Sequence, residues 1–246
     1  MREQPEQQAP PVQRLRIRYA KRGRLRFTSH RDFSRAFERA VVRARIPMAY
    51  SSGFNPHPRI SYAGAAPTGS ASEAEYLEIG LAQEVDPAEV ARLLDEALPD
   101  GLDVLEVVVS SGGSLAGRLE ASHWRLTLSA ATSAAAEAAV QQFLATDEVL
   151  VERMTKKGLR QFDCRAAVVS LTSQPAPETG DECAILEVVL RHGTPSVRPD
   201  DVLAGLREIA GLEVGTAPLH ERLAQGPLDP QTGTVGDPLV PDRDAE

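Results

Sequence analysis

Long apolar runs and cysteines are scarce in this chain of 246 residues. No run of 18 or more apolar residues occurs, which predicts that no helix spans a membrane. The two cysteines, Cys164 and Cys183, are too few for a disulfide framework and lack metal-binding spacing, so we expect both to be small buried side chains. The N-terminus lacks the apolar stretch of a secretory signal. Together these absences favour a cytoplasmic protein with no membrane contact.

Several sequence signatures of catalysis are also absent. The chain has no phosphate-binding P-loop, no H-E-x-x-H zinc motif and no G-x-S-x-G nucleophile motif. It has no three-cysteine motif for an iron–sulfur cluster, and no Ser/His/Asp set stands out by its spacing. We therefore expect no cofactor and no metal site.

The charge of the chain is unevenly distributed. The net charge is −8, yet residues 1–60 carry 14 basic and 4 acidic side chains. Residues 61–155 carry 4 basic and 16 acidic side chains, and residues 156–246 carry 9 and 15. Such asymmetry predicts a polyanionic partner for the N-terminal part, while the acidic remainder keeps the protein dispersed.

The order of predicted elements indicates an α+β fold. In residues 14–110, strand-like alternation in RLRIRYAK predicts a strand that a hairpin joins to a second short strand, RLRFT, and a helix that Ser29 caps follows. Two strands, a helix capped by Asp86 and a last strand complete a β-α-β-β-α-β order. Residues 122–223 repeat this order with one added strand. Two such units predict tandem ferredoxin-like domains, with residues 1–13 and 224–246 as disordered tails.

Basic side chains cluster on the first domain. If Leu15, Ile17 and Tyr19 face the helices, the alternating arginines of the first strand point from an open sheet face. Many RNA-binding members of this fold place their ligand on that face, and the guanidinium fork suits phosphate. A carboxylate such as Glu78 could instead neutralise these arginines. The candidate nucleic-acid-binding residues here are Arg14, Arg16, Arg18, Arg24, Arg26, Arg31 and Arg35; the last two could equally belong to a solvated helix back.

Further candidates lie in two loops and at the start of the first helix. The loop GFNPHPR is stiffened by prolines and carries Asn55, His57 and Arg59, although it could also be a purely structural crossover. Lys156 and Lys157 form a second small basic cluster or a simple hairpin turn. His30, and with it His57, could act as a general base in RNA cleavage, or His30 could simply begin the helix.

One long segment carries a resemblance to a known family. Residues 25–69, LRFTSHRDFSRAFERAVVRARIPMAYSSGFNPHPRISYAGAAPTG, resemble the radical-SAM-associated proteins, a bacterial family of unknown function. KKGLRQFDCRAAVVSL and SVRPDDVLAGL also resemble that family, so the similarity covers roughly residues 13–223. The resemblance implies a standalone partner of a radical SAM enzyme. The chain is more distantly similar to CRISPR-repeat-processing endoribonucleases, but their C-terminal glycine-rich loop is not evident here.

Three hypotheses follow for the function. The first is a non-catalytic RNA-binding accessory that presents ribosomal or transfer RNA to a radical SAM modification enzyme. The second is a metal-independent endoribonuclease that uses His30 or His57. The third is a protein-interaction module that docks on the radical SAM enzyme.

Overall fold

The computed structural model describes residues 7–155, 158–175 and 183–245. The chain divides into two compact units, here called unit 1 (Met1–Arg118 with Pro238–Glu246) and unit 2 (Leu119–Asp237). Both units combine helices with a sheet, which confirms the predicted α+β class. None of the helices in the described ranges has the length and apolar character needed to cross a membrane.

Unit 1 contains an antiparallel sheet of four strands in the order β4-β1-β3-β2. The core lies between this sheet and two helices, and Phe33 and Phe37 of the first helix are almost fully buried there. The elements in chain order are β1 (Gln13–Lys21), α1 (His30–Arg43), β2 (Ile60–Ala63), β3 (Ala71–Leu81), α2 (Pro87–Ala97) and β4 (Val104–Val109).

Helices α1 and α2 of unit 1 begin at the capping residues that the sequence indicates. The Ser29 hydroxyl accepts a hydrogen bond from the backbone N–H of Asp32, and Asp86 caps α2 in the same way. One stripe of α1, including Phe33, Phe37 and Val41, is buried, and this is the stripe that the apolar spacing predicts. Local sequence signals therefore determine where these helices start and which side faces the core.

The segment after β1 differs from the prediction. A second short strand was expected for RLRFT, but Gly23–Phe27 forms a 3-10 turn. Gly23 has φ of 52°, and this left-handed conformation turns the chain away from the sheet. Leu25 and its neighbouring arginines therefore alternate in the sequence as a strand would, but they lie in a tight turn.

Unit 2 contains antiparallel sheet strands in the order β10-β5-β9-β8, together with a separate β6-β7 hairpin. Cys164 and Cys183 are buried free thiols, as expected. The elements are β5 (Ala121–Leu128), α3 (Ser133–Ala145), β6 (Leu150–Thr155), β7 (Gly158–Asp163), β8 (Val168–Pro175), β9 (Ala184–Arg191), α4 (Pro199–Ala210) and β10 (Leu219–Gly226).

The C-terminal segment, predicted to be a disordered tail from residue 224, has defined structure through residue 245. Asp229 holds a turn by accepting hydrogen bonds from the backbone of Gln231 and Thr232, and Leu228 bridges to Val235. A short helix, α5 (Val240–Arg243), follows. The proline and glycine content suggested disorder, whereas these residues in fact form turns.

The N-terminal segment departs from the prediction in part. Residues 1–6 lie outside the described residues. Val12, expected in a disordered stretch, donates a backbone hydrogen bond to Leu81 of β3 at 2.8 Å. The backbone N–H of Gln8 donates to the Ser52 hydroxyl at 3.0 Å. Gln8 and Val12 therefore connect the segment before β1 to other parts of unit 1 by hydrogen bonds.

Candidate nucleic-acid interface

The side chains of β1 alternate between the two sides of its sheet as predicted. Leu15, Ile17 and Tyr19 are buried in the core under the helices. Arg14, Arg16 and Arg18 therefore lie on the opposite side. The prediction that this side is open is wrong, because Asp242 of α5 and the carbonyls of Gly112 and Gly113 contact Arg16 there.

Arg16 is the centre of a buried ion-pair network in unit 1. Its side chain is 0% exposed. One terminal amine donates to both carboxylate oxygens of Asp242, at 2.8 and 2.9 Å, and Nε donates to Glu78 at 3.0 Å. The other terminal amine donates to the carbonyls of Gly112 and Gly113, each at 2.8 Å. Arg16 has no donor left for an external phosphate, so its role is structural.

Asp242 joins the C-terminal segment to this network. Its side chain is also 0% exposed, and it accepts hydrogen bonds from Ser111 and from Arg118 Nη1, both at 2.7 Å. Burial by itself would raise the pKa of Asp242, but the hydrogen bonds from Ser111, Arg16 and Arg118 outweigh it and lower the pKa to about 2. The carboxylate thus stays ionised and pairs with two guanidinium groups.

The other two arginines of β1 are partly engaged. Arg14 Nη1 donates to Glu78 at 3.0 Å, but its side chain remains 53% exposed. Arg18 is half-buried, and its Nε donates to the Glu73 carbonyl at 2.9 Å. The proposed neutralisation by Glu78 therefore occurs for two of the three arginines, and Arg14 alone keeps an exposed side chain.

The outer face of α1 carries arginines that are exposed. Arg31, Arg35 and Arg39 recur at four-residue steps on the side opposite the buried stripe, and all three are exposed. Within residues 7–155, 158–175 and 183–245, none of the three side chains forms an ion pair or a hydrogen bond. We call these three side chains the α1 arginine face. Its guanidinium groups are available to an external anion.

The 3-10 turn before α1 adds two more basic side chains. Arg24 is exposed and has no ion pair with any described residue. Arg26 is half-buried and lies over the ring of Phe27 at 4.7 Å from its centroid. Phe27 itself is 60% exposed, so this cation–π pair offers an accessible aromatic surface beside the helix.

The loop between α1 and β2 forms one wall of a pocket of about 290 Å³. His57 and Arg59 line it together with Arg14, which lies more than 40 residues earlier in the sequence. Asn55 is exposed in the same loop and does not line the pocket. The structure therefore brings together one predicted sheet residue and two predicted loop residues.

His30 begins α1, and its imidazole lies edge-on to the ring of Tyr62 at 4.8 Å between centroids. In the described part of the chain, no carboxylate contacts the ring of His30 or of His57. A histidine that acts as a general base is usually oriented by such a partner. Lys156 and Lys157 lie outside the described residues.

A comparison with protein families gives a match to residues 14–199. The matching model is that of an uncharacterized protein conserved in bacteria (DUF2344). The chain belongs to this family. No curated protein matches it. The DUF2344 family carries no assigned activity in that description, so any role for this member has to be argued from its own residues.

Unit 2 of this DUF2344 member holds a pocket that sequence reasoning missed. It measures about 280 Å³, and His123 and Glu187 line it together with the hydroxyls of Ser170 and Thr172. His123 Nε2 lies 3.3 Å from the Glu187 carboxylate, which Arg125 also contacts at 3.0 Å. His123 and Glu187 come from strands 64 residues apart in the sequence, and no local motif links them. The alternation of β5 was the one available signal, because it places His123 on the side away from the helices.

Proposed function

We propose that this protein is an RNA-binding accessory to a radical SAM RNA-modification enzyme, and that RNA contacts the α1 arginine face. The observation that supports this most is the contrast between exposed and engaged arginines. Arg31, Arg35 and Arg39 are exposed without an ion pair among the described residues, while Arg16 is fully buried with two carboxylates.

The spacing of the α1 arginine face suits an extended polyanion. Arg31 and Arg39 are eight residues apart, which corresponds to about 12 Å along a helix that rises 1.5 Å per residue. Each guanidinium can donate two parallel hydrogen bonds to one phosphate. Arg24 and the exposed ring of Phe27 extend the same basic region, and aromatic rings stack on unpaired bases. RNA with a single-stranded portion fits both features.

The partner enzyme is proposed from the resemblance of residues 25–69 to radical-SAM-associated proteins. The chain has only two cysteines, both buried, so it has no three-cysteine set of its own to hold an iron–sulfur cluster. A binding role for this chain and a catalytic role for a separate enzyme are consistent with that composition.

We also infer that each unit is a ferredoxin-like domain. In unit 1 the order β-α-β-β-α-β and the sheet order β4-β1-β3-β2 support this. In unit 2 the sheet order β10-β5-β9-β8 is equivalent, with β6 and β7 as an inserted hairpin.

The test is the salt dependence of RNA binding by the full chain. A fluorescent hairpin RNA with a single-stranded 5′ end and a 5′-hydroxyl group is titrated at several salt concentrations, with binding followed by anisotropy. Three to five phosphate contacts are expected to weaken affinity about 20- to 200-fold between about 50 and 200 mM salt. Absence of binding at the lowest salt would overturn the proposal.

The other two hypotheses predict different results in related assays. RNA cleavage in EDTA that is lost in His30→Ala or His57→Ala would replace the accessory role by an endoribonuclease. Co-purification with a radical SAM enzyme that persists after nuclease treatment, combined with no affinity for RNA, would favour a protein-interaction module. Neither histidine has an orienting carboxylate among the described residues, so no contact favours cleavage.

A further inference from the structure

The pocket beside β2 has the donors of an anion site. Arg59 Nε donates to the Tyr50 carbonyl at 3.1 Å, and its two terminal amines have no partner within the described ranges. Arg14 uses one terminal amine for Glu78 and keeps the other. The imidazole of His57 forms no hydrogen bond, ion pair or ring contact with another described side chain. Three nitrogen-bearing side chains with unused donors thus line one cavity of about 290 Å³.

The walls of this pocket are held in place by backbone hydrogen bonds. Ser51 N–H donates to the His57 carbonyl at 2.9 Å, and His57 N–H donates to the Ser51 hydroxyl at 3.0 Å. Arg59 N–H donates to the Ala49 carbonyl at 2.8 Å. Pro56 and Pro58 further restrict the loop. The backbone that carries His57 and Arg59 is therefore fixed before any ligand arrives, which lowers the entropy cost of binding.

Gly80 of β3 forms part of the pocket floor, and its lack of a side chain is required there. A Cβ at this position would lie 2.8 Å from Cγ of Pro11 and 3.3 Å from Cβ of Arg59. The glycine thus allows both residues to pack directly on the strand. This close approach brings Arg59 into the cavity.

The charge of the pocket is positive despite the presence of Glu78. That carboxylate accepts hydrogen bonds from Arg14 and Arg16, each at 3.0 Å, and from the Ser110 hydroxyl at 3.2 Å. It is thereby neutralised within the protein, and the charge of Arg59 has no carboxylate partner in the described chain. The pocket therefore favours an anion over a cation.

We propose that this pocket binds a phosphate monoester, supplied by the phosphorylated end of the bound RNA strand. A monoester carries a charge of about −1.5 to −2 at neutral pH and three terminal oxygens, and these match the convergent donors better than an internal diester does. A volume of about 290 Å³ lies at the small end of the range for ligand pockets, so it suits one terminal nucleotide. This inference rests on the proposed RNA-binding function.

The experiment compares three forms of one RNA: with a 5′-phosphate, with a 3′-phosphate, and with hydroxyls at both ends. The full-length chain is expected to bind one phosphorylated form at least about tenfold more tightly than the hydroxyl form, because two or more charge-assisted hydrogen bonds are added. In Arg59→Gln and in Arg14→Gln this preference should fall to about onefold, with affinity for the hydroxyl form retained. If both variants lose the preference, misfolding of one variant alone does not explain the loss.

Two controls separate this inference from the proposed function. Arg31→Gln/Arg35→Gln should weaken all three RNAs equally and keep the preference, and Arg92→Gln on α2 should change neither. Equal binding of the three RNAs by the wild-type protein would overturn the phosphate pocket and leave RNA binding intact. If no RNA binds at all, the melting temperature of the protein is measured with adenosine monophosphate. A rise that is lost in Arg59→Gln would support a free nucleotide as the source of the phosphate monoester. No stabilisation by it would overturn the pocket as well.

Discussion

Arg16 of β1 and the arginines of α1 belong to equally regular patterns, yet they have opposite environments. Arg16 is buried and bound to two carboxylates, whereas Arg31, Arg35 and Arg39 are exposed without an ion pair in the described chain. The carboxylates that engage Arg16 lie 62 and 226 residues away in the sequence. A local count of basic residues therefore overstates the charge that is available to a ligand.

The largest expected effect concerns the buried side of this comparison. Asp242→Asn should lower the free energy of unfolding by about 3 kcal/mol, because it removes the buried negative charge that pairs with both Arg16 and Arg118. Urea denaturation followed by circular dichroism measures this. Asp244→Asn, at an exposed position two residues on, is the matched control and should change stability by less than about 0.5 kcal/mol. A similar small effect of both substitutions would show that the network does not stabilise unit 1.

The same carboxylate should make stability depend on pH. Its folded pKa of about 2 lies below the ordinary value of 3.8, so ionised Asp242 contributes stability above about pH 4 that is lost as the pH falls through 2. The full contribution is about 2 kcal/mol, and roughly half of it is lost by about pH 3. The stability difference between wild type and Asp242→Asn should therefore be about 1 kcal/mol smaller at about pH 3 than at about pH 7. A constant difference would contradict the assigned role.

A smaller effect should distinguish the exposed side. With RNA that ends in hydroxyl groups, Arg31→Gln/Arg35→Gln should weaken binding about tenfold, since each of the two phosphate contacts contributes about 0.7 kcal/mol. Arg14→Gln on β1 should weaken binding of the same RNA less than about twofold. The charge-matched control is Arg92→Gln/Arg207→Gln, which removes two exposed helix arginines elsewhere and should resemble wild type. Equal losses in the two double variants would mean that only net charge matters.

Much of unit 1 could be predicted because its signals are local. The cap at Ser29 determines the start of α1, and the spacing of Phe33 and Phe37 identifies the buried stripe. The alternation in β1 correctly divides its arginines from its core side chains. The 3-10 turn at Gly23–Phe27 was missed because its apolar and basic residues alternate as a strand would.

The C-terminal segment shows where composition misleads. Its prolines, glycines and aspartates indicated disorder, but Asp229 and Gly233 form hydrogen bonds within a turn. Leu239 is 0% exposed, and Asp242 binds Arg16. The few apolar residues among polar ones, such as Leu239, were the available sign that the segment packs on something.

The sequence by itself determined the α+β class, the helix starts and the side of β1 on which each arginine lies, because these depend on residues a few positions apart. Only the tertiary structure decided which arginines are neutralised and which are free. It also brought Arg14, His57 and Arg59 around one pocket, and paired His123 with Glu187. These contacts join residues tens to hundreds of positions apart, and periodicity within a short window carries no information about such partners.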